Sequence, residues 1–402
     1  MRAVVFTLGC KVNEVESASL MASLEKLGWE TSDRLSPADI YVLNTCAVTR
    51  EAERKSRQLV ARAKKFNPDA RIYVIGCASQ KNGVQFEDKG VSYVGGARDK
   101  QKVLSAIARD LGGDYPCELS YPKQVRTRAF IKIEDGCNNF CSYCVIPYLR
   151  GRVCSRPTDD ILAEIRACTA PEIVLTGINI SAYDDGEGLK GLIDRLAFTD
   201  KRVRLGSIEC NVIEPGLLTS LGNLKDFAPQ FHLSLQSGSD AVLKAMNRKY
   251  TRAEYLEKCA LIYRYFPDAA ITTDIIAGFP AESEADFEDS LSIIDEAGFA
   301  RVHAFAFSPR EGTAAWKMKD IPSEIKSERL HRLLERGKAA EDRYTAALAG
   351  KSFEVIFEDF DGEYTDGYTG AYVKVYARGR HSGRAVVTVK EQFRDGVLVS
   401  GE

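Results

Sequence analysis

Three cysteines, Cys137, Cys141 and Cys144, are spaced by three and then two residues in Glu134-Asp135-Gly136-Cys137-Asn138-Asn139-Phe140-Cys141-Ser142-Tyr143-Cys144, directly after an apolar run. Three thiolates from one tight loop can hold a cubane iron–sulfur cluster by three of its four irons, and the fourth iron stays open to chelate a substrate. Zinc is the competing use, and inert buried thiols are another. Structural zinc closes with four ligands, often two C-x2-C pairs, and neither a second pair nor a nearby His stands beside Cys137. The spacing therefore favours the cluster.

A second set of cysteines is spread over the first hundred residues. Ala3-Val4-Val5-Phe6-Thr7-Leu8 runs on to Cys10, Ile40-Tyr41-Val42-Leu43 to Cys46, and Ile72-Tyr73-Val74-Ile75 to Cys77. Helical patterns at 14–27 and 49–66 lie between these runs, which makes them parallel strands of a βαβ unit. Ligands bind at the C-terminal edge of such sheets. Three cysteines at three such ends converge on a second iron–sulfur site, against the plainer alternative of three buried thiols.

The elements that position the first loop follow a short helix (103–111) and a connection, 97–127, holding Cys117. Six apolar runs, 129–134, 172–176, 203–208, 231–235, 271–276 and 302–307, alternate with helical segments. That is α/β repetition at barrel spacing, with six units giving an open, partial barrel. The polar, Gly-rich strand ends offer Gly177, Asn179, Ser207, Glu209, Gln236 and Gly278 to a shared ligand, although turn chemistry alone accounts for any one of them. Helix 323–349, with Ile325, Leu330, Leu333 and Leu334, is expected to pack on the barrel and close it. Residues 351–402 read as short strands with glycine turns at 362, 367, 370, 379, 383 and 396, a small β-barrel.

At 402 residues the chain is expected to form about two or three domains. No segment approaches a membrane span or a secretory leader, so a cytoplasmic protein is expected. Eleven cysteines there point to metal or catalysis rather than disulfides. The net charge of −2 announces no nucleic-acid binder, so local runs matter more. In 371–394, Lys374, Arg378 and Arg380 lie among Tyr364, Tyr368, Tyr372 and Tyr376, which could stack on bases. The first half of that last segment, with Glu354, Glu358, Asp361 and Glu363, is acidic. Arg150 and Arg152 could pair with a carboxylate or with RNA phosphate. Cys154 lies close to the cysteine loop.

The two cysteine sets, the run from Cys137 to Val145-Ile146-Pro147-Tyr148, and Leu235-Gln236-Ser237-Gly238-Ser239 together resemble the radical S-adenosylmethionine (SAM) methylthiotransferase family from end to end. The resemblance implies an N-terminal α/β domain (1–115) binding an auxiliary cluster, a radical SAM partial (β/α)6 barrel (126–349) and a TRAM-like RNA-binding β-barrel (350–402). It implies two [4Fe-4S] clusters, one on Cys137, Cys141 and Cys144 with Tyr143 near the SAM adenine, the other on Cys10, Cys46 and Cys77. Gly9-Cys10-Lys11-Val12-Asn13 resembles the branch that converts N6-threonylcarbamoyladenosine beside the tRNA anticodon to its 2-methylthio form. The implied chemistry is methylation of a cluster-bound sulfur by one SAM, radical hydrogen abstraction at adenine C2 by a second, and methylthio transfer. The implied partners are the tRNA anticodon stem-loop, an external electron donor and a sulfur donor. Rival readings are the same chemistry on isopentenyladenosine tRNA or on a ribosomal protein aspartate, and a non-catalytic iron–sulfur RNA-binding protein.

Overall fold

The three N-terminal apolar runs are strands, Arg2–Thr7, Ile40–Thr45 and Arg71–Gly76. The computed structural model describes residues 1–112, 119–121 and 127–401; Cys117 and the rest of 113–118 and 122–126 lie outside the described residues. Two short strands that the sequence did not announce, Glu30–Ser32 and Tyr93–Val94, complete a five-stranded sheet, all parallel, in the order 30–32, 2–7, 40–45, 71–76, 93–94. Helices cover both faces, which is why the three longer strands carry continuous apolar runs (3–6, 40–43 and 72–75) rather than alternating ones. Tyr41, Leu43 and Val74 enter one core layer, and Ile40, Val42 and Ile75 the other. Helix Lys11–Lys26 starts directly at Cys10. Helix Arg50–Phe66 is capped by Thr49, whose side chain accepts from the Ala52 N–H.

The central strands form two parallel sheets. Arg202–Leu205, Glu172–Thr176 and Arg128–Lys132 make one, and Ser207–Ile208, Gln230–Leu233, Ala270–Ala277 and Arg301–Ala306 make the other. The chain crosses between them at Gly206, where an added Cβ would sit 2.8 Å from the Leu175 carbonyl oxygen. Ala129 and Ile131 pack into the core under the surrounding helices, while Arg128 and Phe130, on the opposite face, border a cavity. Capping boxes at Thr251 and Ser283 start helices Arg252–Tyr265 and Glu284–Glu296. A two-stranded hairpin of Glu134–Asp135 with Cys154–Ser155, not foreseen from the sequence, anchors the cysteine loop at its base.

Helix Ser323–Ala346 packs along the edge strand Arg301–Ala306, with two of the four expected residues on the packed face. Leu333 is fully buried and Leu330 packs on the core, whereas Ile325 and Leu334 are exposed. Gly337 belongs to the packed face, since a Cβ there would lie 3.2 Å from the Val302 Cβ. The last strands, Ser352–Phe360, Tyr364–Thr369, Lys374–Arg378, Gly396–Gly401 and Arg384–Phe393, close into a five-stranded barrel in that order. Two expected turn glycines are strand residues instead. A Cβ on Gly367 would meet the Ile356 carbonyl oxygen at 2.6 Å, and one on Gly396 would run into that of Lys374.

Arginines, of which Arg202 and Arg310 are buried, tie these parts together. Arg202 pairs with Glu354 at 2.7 Å, and Arg384 with Asp226 at 2.6 Å, between the central sheet and the barrel. Arg310 reaches Glu53 at 2.6 Å and the Ala47 carbonyl at 2.7 Å, fastening the segment after the last central strand to the N-terminal sheet. Among the described residues, no helix is long and apolar enough to cross a membrane.

Candidate functional site

Cys10, Cys46 and Cys77 each follow the C-terminal end of a parallel strand, and the structure gathers them at one sheet edge. Gly9, at φ 120°, carries the Cys10 loop so close to Cys46 that a Cβ at position 9 would stand 3.1 Å from the Cys46 Cβ. Asn13 holds that loop by donating to the carbonyls of Leu8 (2.8 Å) and Thr45 (3.2 Å). Ser56 clamps Cys46 by accepting from its N–H at 3.1 Å and donating to its carbonyl at 3.0 Å. Cys46 and Cys77 are buried and Cys10 is exposed, so the trio opens on one side. Burial pushes the Cys46 thiol up. It also raises Cys77, against the pull of the neighbouring Arg150 guanidinium.

Cys137, Cys141 and Cys144 come together in a loop with its own constraints. Gly136 has φ 85°, and a Cβ there would run into the carbonyl of Arg152; Phe140 takes φ 48°. Asn247 donates to the carbonyls of Asn139 and Phe140 at 3.1 and 3.0 Å, and the Ser142 N–H donates to Met246 at 3.0 Å. Each sulfur has a donor beside it: Arg248 Nη1 at 3.4 Å from Cys141, the Ile146 N–H at 3.4 Å from Cys144, and Asn179 Nδ2 at 3.9 Å from Cys137. Burial, helped by the neighbouring Cys141 and Cys137 and opposed by the Ile146 N–H and Arg248, pushes the Cys144 thiol up to about 12. Donors of this kind favour thiolates, the form a metal needs.

The donor sets fit clusters better than single ions. Among the described residues, no group of three or more His, Cys, Asp or Glu is arranged to hold one metal ion. A cubane binds each cysteine through a different iron, so its ligands stand farther apart than the donors around one ion. Three thiols on each side, with hydrogen-bond donors at the sulfurs of the second set, suit that group.

The expected ligand residues surround the second trio unevenly. Glu209 accepts from Asn139 Nδ2 at 2.8 Å and pairs with Arg248 at 2.9 Å, so it braces the loop. The Asn179 N–H donates to Glu134 Oε2 at 2.7 Å, and a Cβ on Gly177 would meet the same oxygen at 2.7 Å. Glu134 is fully buried with its other oxygen unpartnered, and burial lifts its carboxyl to about 7. Gln236 takes φ 79° and bridges to Ile275. Gly278, at φ 72°, leaves no room for a Cβ beside Lys326 and donates its N–H to Glu282 at 2.7 Å. Tyr143 packs among Val242, Met246, Phe279 and Phe307. Ser207 is exposed to the cavity.

Between the trios lies a charge network the sequence did not reveal. Arg150 is buried and donates to Glu16 (3.1 and 3.3 Å), to both oxygens of Asp135 (3.0 and 3.1 Å) and to Asn13. Lys100 and Lys132 each reach Glu16 at 2.9 Å. Of the two partners open to Arg150, the protein supplies the carboxylates, so it is not an RNA contact. The desolvation of Glu16 is outweighed by Lys132, Lys100 and Arg150, which hold its carboxyl well below the usual range.

The expected RNA residues separate into two groups. Arg378 and Arg380 are exposed near a turn, Arg378 only 3.9 Å from Glu363 and Arg380 over the Phe360 ring at 4.3 Å. Arg152 is exposed over Phe140. Lys374 stands between Asp366 and Asp395 at 3.4 and 3.5 Å. The tyrosines make no common stacking face. Tyr372 stacks on Tyr368 at 4.8 Å with Arg128 and Arg204 against the pair, while Tyr364 and Tyr376 pack around Phe393. The acidic stretch is largely neutralised, with Glu358 on Arg128 and Asp361 on Arg394. Cys154 is exposed in the hairpin, paired with Asp135.

Comparison with known proteins agrees with this geometry. Residues 2–95 match the family described as Uncharacterized protein family UPF0004, and residues 131–294 match the Radical SAM superfamily. Threonylcarbamoyladenosine tRNA methylthiotransferase MtaB of Chlamydia pneumoniae is 38% identical over 384 residues, 92% of this chain and 89% of that protein. tRNA-2-methylthio-N(6)-dimethylallyladenosine synthase of Fervidobacterium nodosum is 35% identical over 381 residues, 89% of this chain and 88% of that protein. The radical S-adenosylmethionine methyltransferase TsrM from Kitasatospora setae, solved with cobalamin and a [4Fe-4S] cluster, shares the fold at a TM-score of 0.56 and 12% identity, over 76% of this chain and 74% of its own. With two thiol trios at parallel strand ends and relatives matched over nearly their full length, the chain belongs to the radical SAM methylthiotransferase family.

Proposed function

We propose that this enzyme converts N6-threonylcarbamoyladenosine beside the tRNA anticodon to 2-methylthio-N6-threonylcarbamoyladenosine, using SAM and two [4Fe-4S] clusters. The observation that carries the reading is the juxtaposition of two thiol trios, at strand ends of two parallel sheets, joined by the Arg150–Glu16 network. Cys137, Cys141 and Cys144 would hold the cluster that binds SAM, and Cys10, Cys46 and Cys77 the auxiliary one. When bound, these groups supply the electron, the radical abstraction of hydrogen from adenine C2 and the methylthio sulfur, because an unactivated ring C–H offers no acid–base handle.

The chain's own contribution is positioning. Tyr143, Gly177, Asn179, Ser207, Glu209, Gln236 and Gly278 border the site where SAM would lie, on the strand ends of a partial (β/α)6 barrel spanning 126–349. Residues 1–115 carry the auxiliary site. The barrel at 350–402 is TRAM-like, with Arg378 and Arg380 as phosphate contacts to the anticodon stem-loop. An external electron donor and a sulfur donor complete the cycle.

The branch rests on Lys11-Val12-Asn13 after Cys10 and on the printed activity of the Chlamydia relative. The Fervidobacterium relative keeps dimethylallyladenosine as the second reading. Anaerobic, reduced, cluster-loaded protein is to be incubated with SAM and anticodon stem-loops bearing each nucleoside. The proposal expects 5′-deoxyadenosine and a methylthio mass gain with threonylcarbamoyladenosine. Gain only on the dimethylallyl RNA reverses the branch, and absence of 5′-deoxyadenosine with either RNA contradicts the chemistry.

A further inference from the structure

The face of the central strands turned away from the helices borders a cavity of about 440 Å³, walled by Phe130 and His232, by Tyr372 of the last barrel and by Lys11, the residue after Cys10. Six Lys or Arg side chains line it against two carboxylates, Glu341 and Asp395. Five of the six already face acids. Arg128 and Arg204 share Glu172 at 3.3 and 2.7 Å. Arg301 and Lys338 share Glu341 at 3.8 Å each, and Lys374 stands between Asp366 and Asp395. Lys11 is the sixth, and it forms no ion pair among the described residues; its ammonium lies over the Phe130 ring, 5.6 Å from the centroid.

Lys11 is exposed at the cavity wall, so its ammonium is open to an anion that enters. Lys11 begins the helix that starts at Cys10, so its charge enters the cavity from the auxiliary thiol site. The threonylcarbamoyl group carries a free carboxylate, and a dimethylallyl group carries no charge. We propose that Lys11 pairs with the carboxylate of the threonylcarbamoyl group and is the residue by which this site selects that nucleoside over one with a neutral alkenyl group. The inference rests on the substrate reading above and adds the side chain that enforces it. An ammonium–carboxylate hydrogen bond in such a wall is worth about tenfold to a hundredfold in affinity.

The test is fluorescence anisotropy with the full, cluster-loaded chain and three anticodon stem-loops that differ only at the adenosine: threonylcarbamoyladenosine, its carboxamide and dimethylallyladenosine. The wild type is expected to bind the first about tenfold or more tighter than the other two. Lys11→Met erases that preference and Lys11→Arg keeps it; Lys11→Gln serves as a second neutral variant if the melting curve shows that Lys11→Met is not folded. If the wild type prefers the carboxylate RNA and the neutral variants keep the preference, the assignment of Lys11 is overturned while the substrate reading stands. If a neutral variant weakens all three RNAs equally, Lys11 is a backbone phosphate contact and the assignment is again overturned. If the wild type itself shows no preference for threonylcarbamoyladenosine, the substrate reading fails and takes this inference with it.

Discussion

Arg150 Nη1 donates to Glu16 Oε1 at 3.1 Å, joining the end of the Cys137–Cys144 loop to the helix that begins at Cys10. The two cysteine trios therefore share one buried support. Its members are three cations, Lys100, Lys132 and Arg150, and two carboxylates, Glu16 and Asp135, with the surplus positive charge beside Cys77. That surplus suits the negative charge of a thiolate-bound cluster.

Removing one partner from such a network leaves the others buried and uncompensated. Arg150→Met should destabilise the chain by about 3–5 kcal/mol, with a lower melting temperature and less iron retained per chain. Arg150→Lys keeps the charge and should recover part of both. An unchanged melting temperature in Arg150→Met would show that the network carries no stability.

Glu134 gives a pH signature. Burial lifts its carboxyl from 4.5 to about 7 in the folded chain, so the folded state holds the proton more tightly than the unfolded state does. Between these values the unfolded chain has lost the proton and the folded chain has not. Stability then falls as pH rises from about 4.5 to about 7, and the full cost persists above that range. Glu134→Gln should remove that slope and gain on the order of 1–3 kcal/mol near pH 8. Melting temperatures of both proteins across this range decide it, and parallel curves would contradict the assignment.

Arg248 donates to the Cys141 sulfur and braces Glu209. Hydrogen bonds to cluster sulfurs raise the reduction potential. In Arg248→Met, an EPR-monitored redox titration should find the potential of the SAM-binding cluster more negative than in the wild type. No shift would place Arg248 outside the influence of that cluster.

Arg378 and Arg380 are the exposed cations proposed to meet phosphate. Replacing both with Ala should weaken tRNA binding and flatten the slope of log K against log salt by up to about 2. An unchanged slope would move the RNA contact to another surface.

Local features of this chain were legible in the sequence, and contacts between distant segments were not. Cys10, Cys46, Cys77 and Cys137 could be placed because each sits two or three residues past an apolar run, and Cys141 and Cys144 by their spacing from Cys137; strand ends fix direction as well as position. Arg150 could be singled out, but its partner Glu16 lies 134 positions away, and Arg248 lies 107 positions from Cys141. The four tyrosines expected to stack on bases are spaced four apart in sequence. In the fold, Tyr364 and Tyr368 share a strand, Tyr372 sits in a turn at φ 62°, and Tyr376 is on the next strand, so they point to different neighbours. Helix Ser323–Ala346 was found, but Gly337 and Ala340 complete the buried face, and small residues carry no hydrophobic signal.

The most direct test of the account is nucleoside mass spectrometry of tRNA from cells with and without this protein. The account predicts that 2-methylthio-N6-threonylcarbamoyladenosine disappears without it and N6-threonylcarbamoyladenosine accumulates in its place. If both nucleosides stay at wild-type levels, this nucleoside is not the substrate and the central claim is wrong.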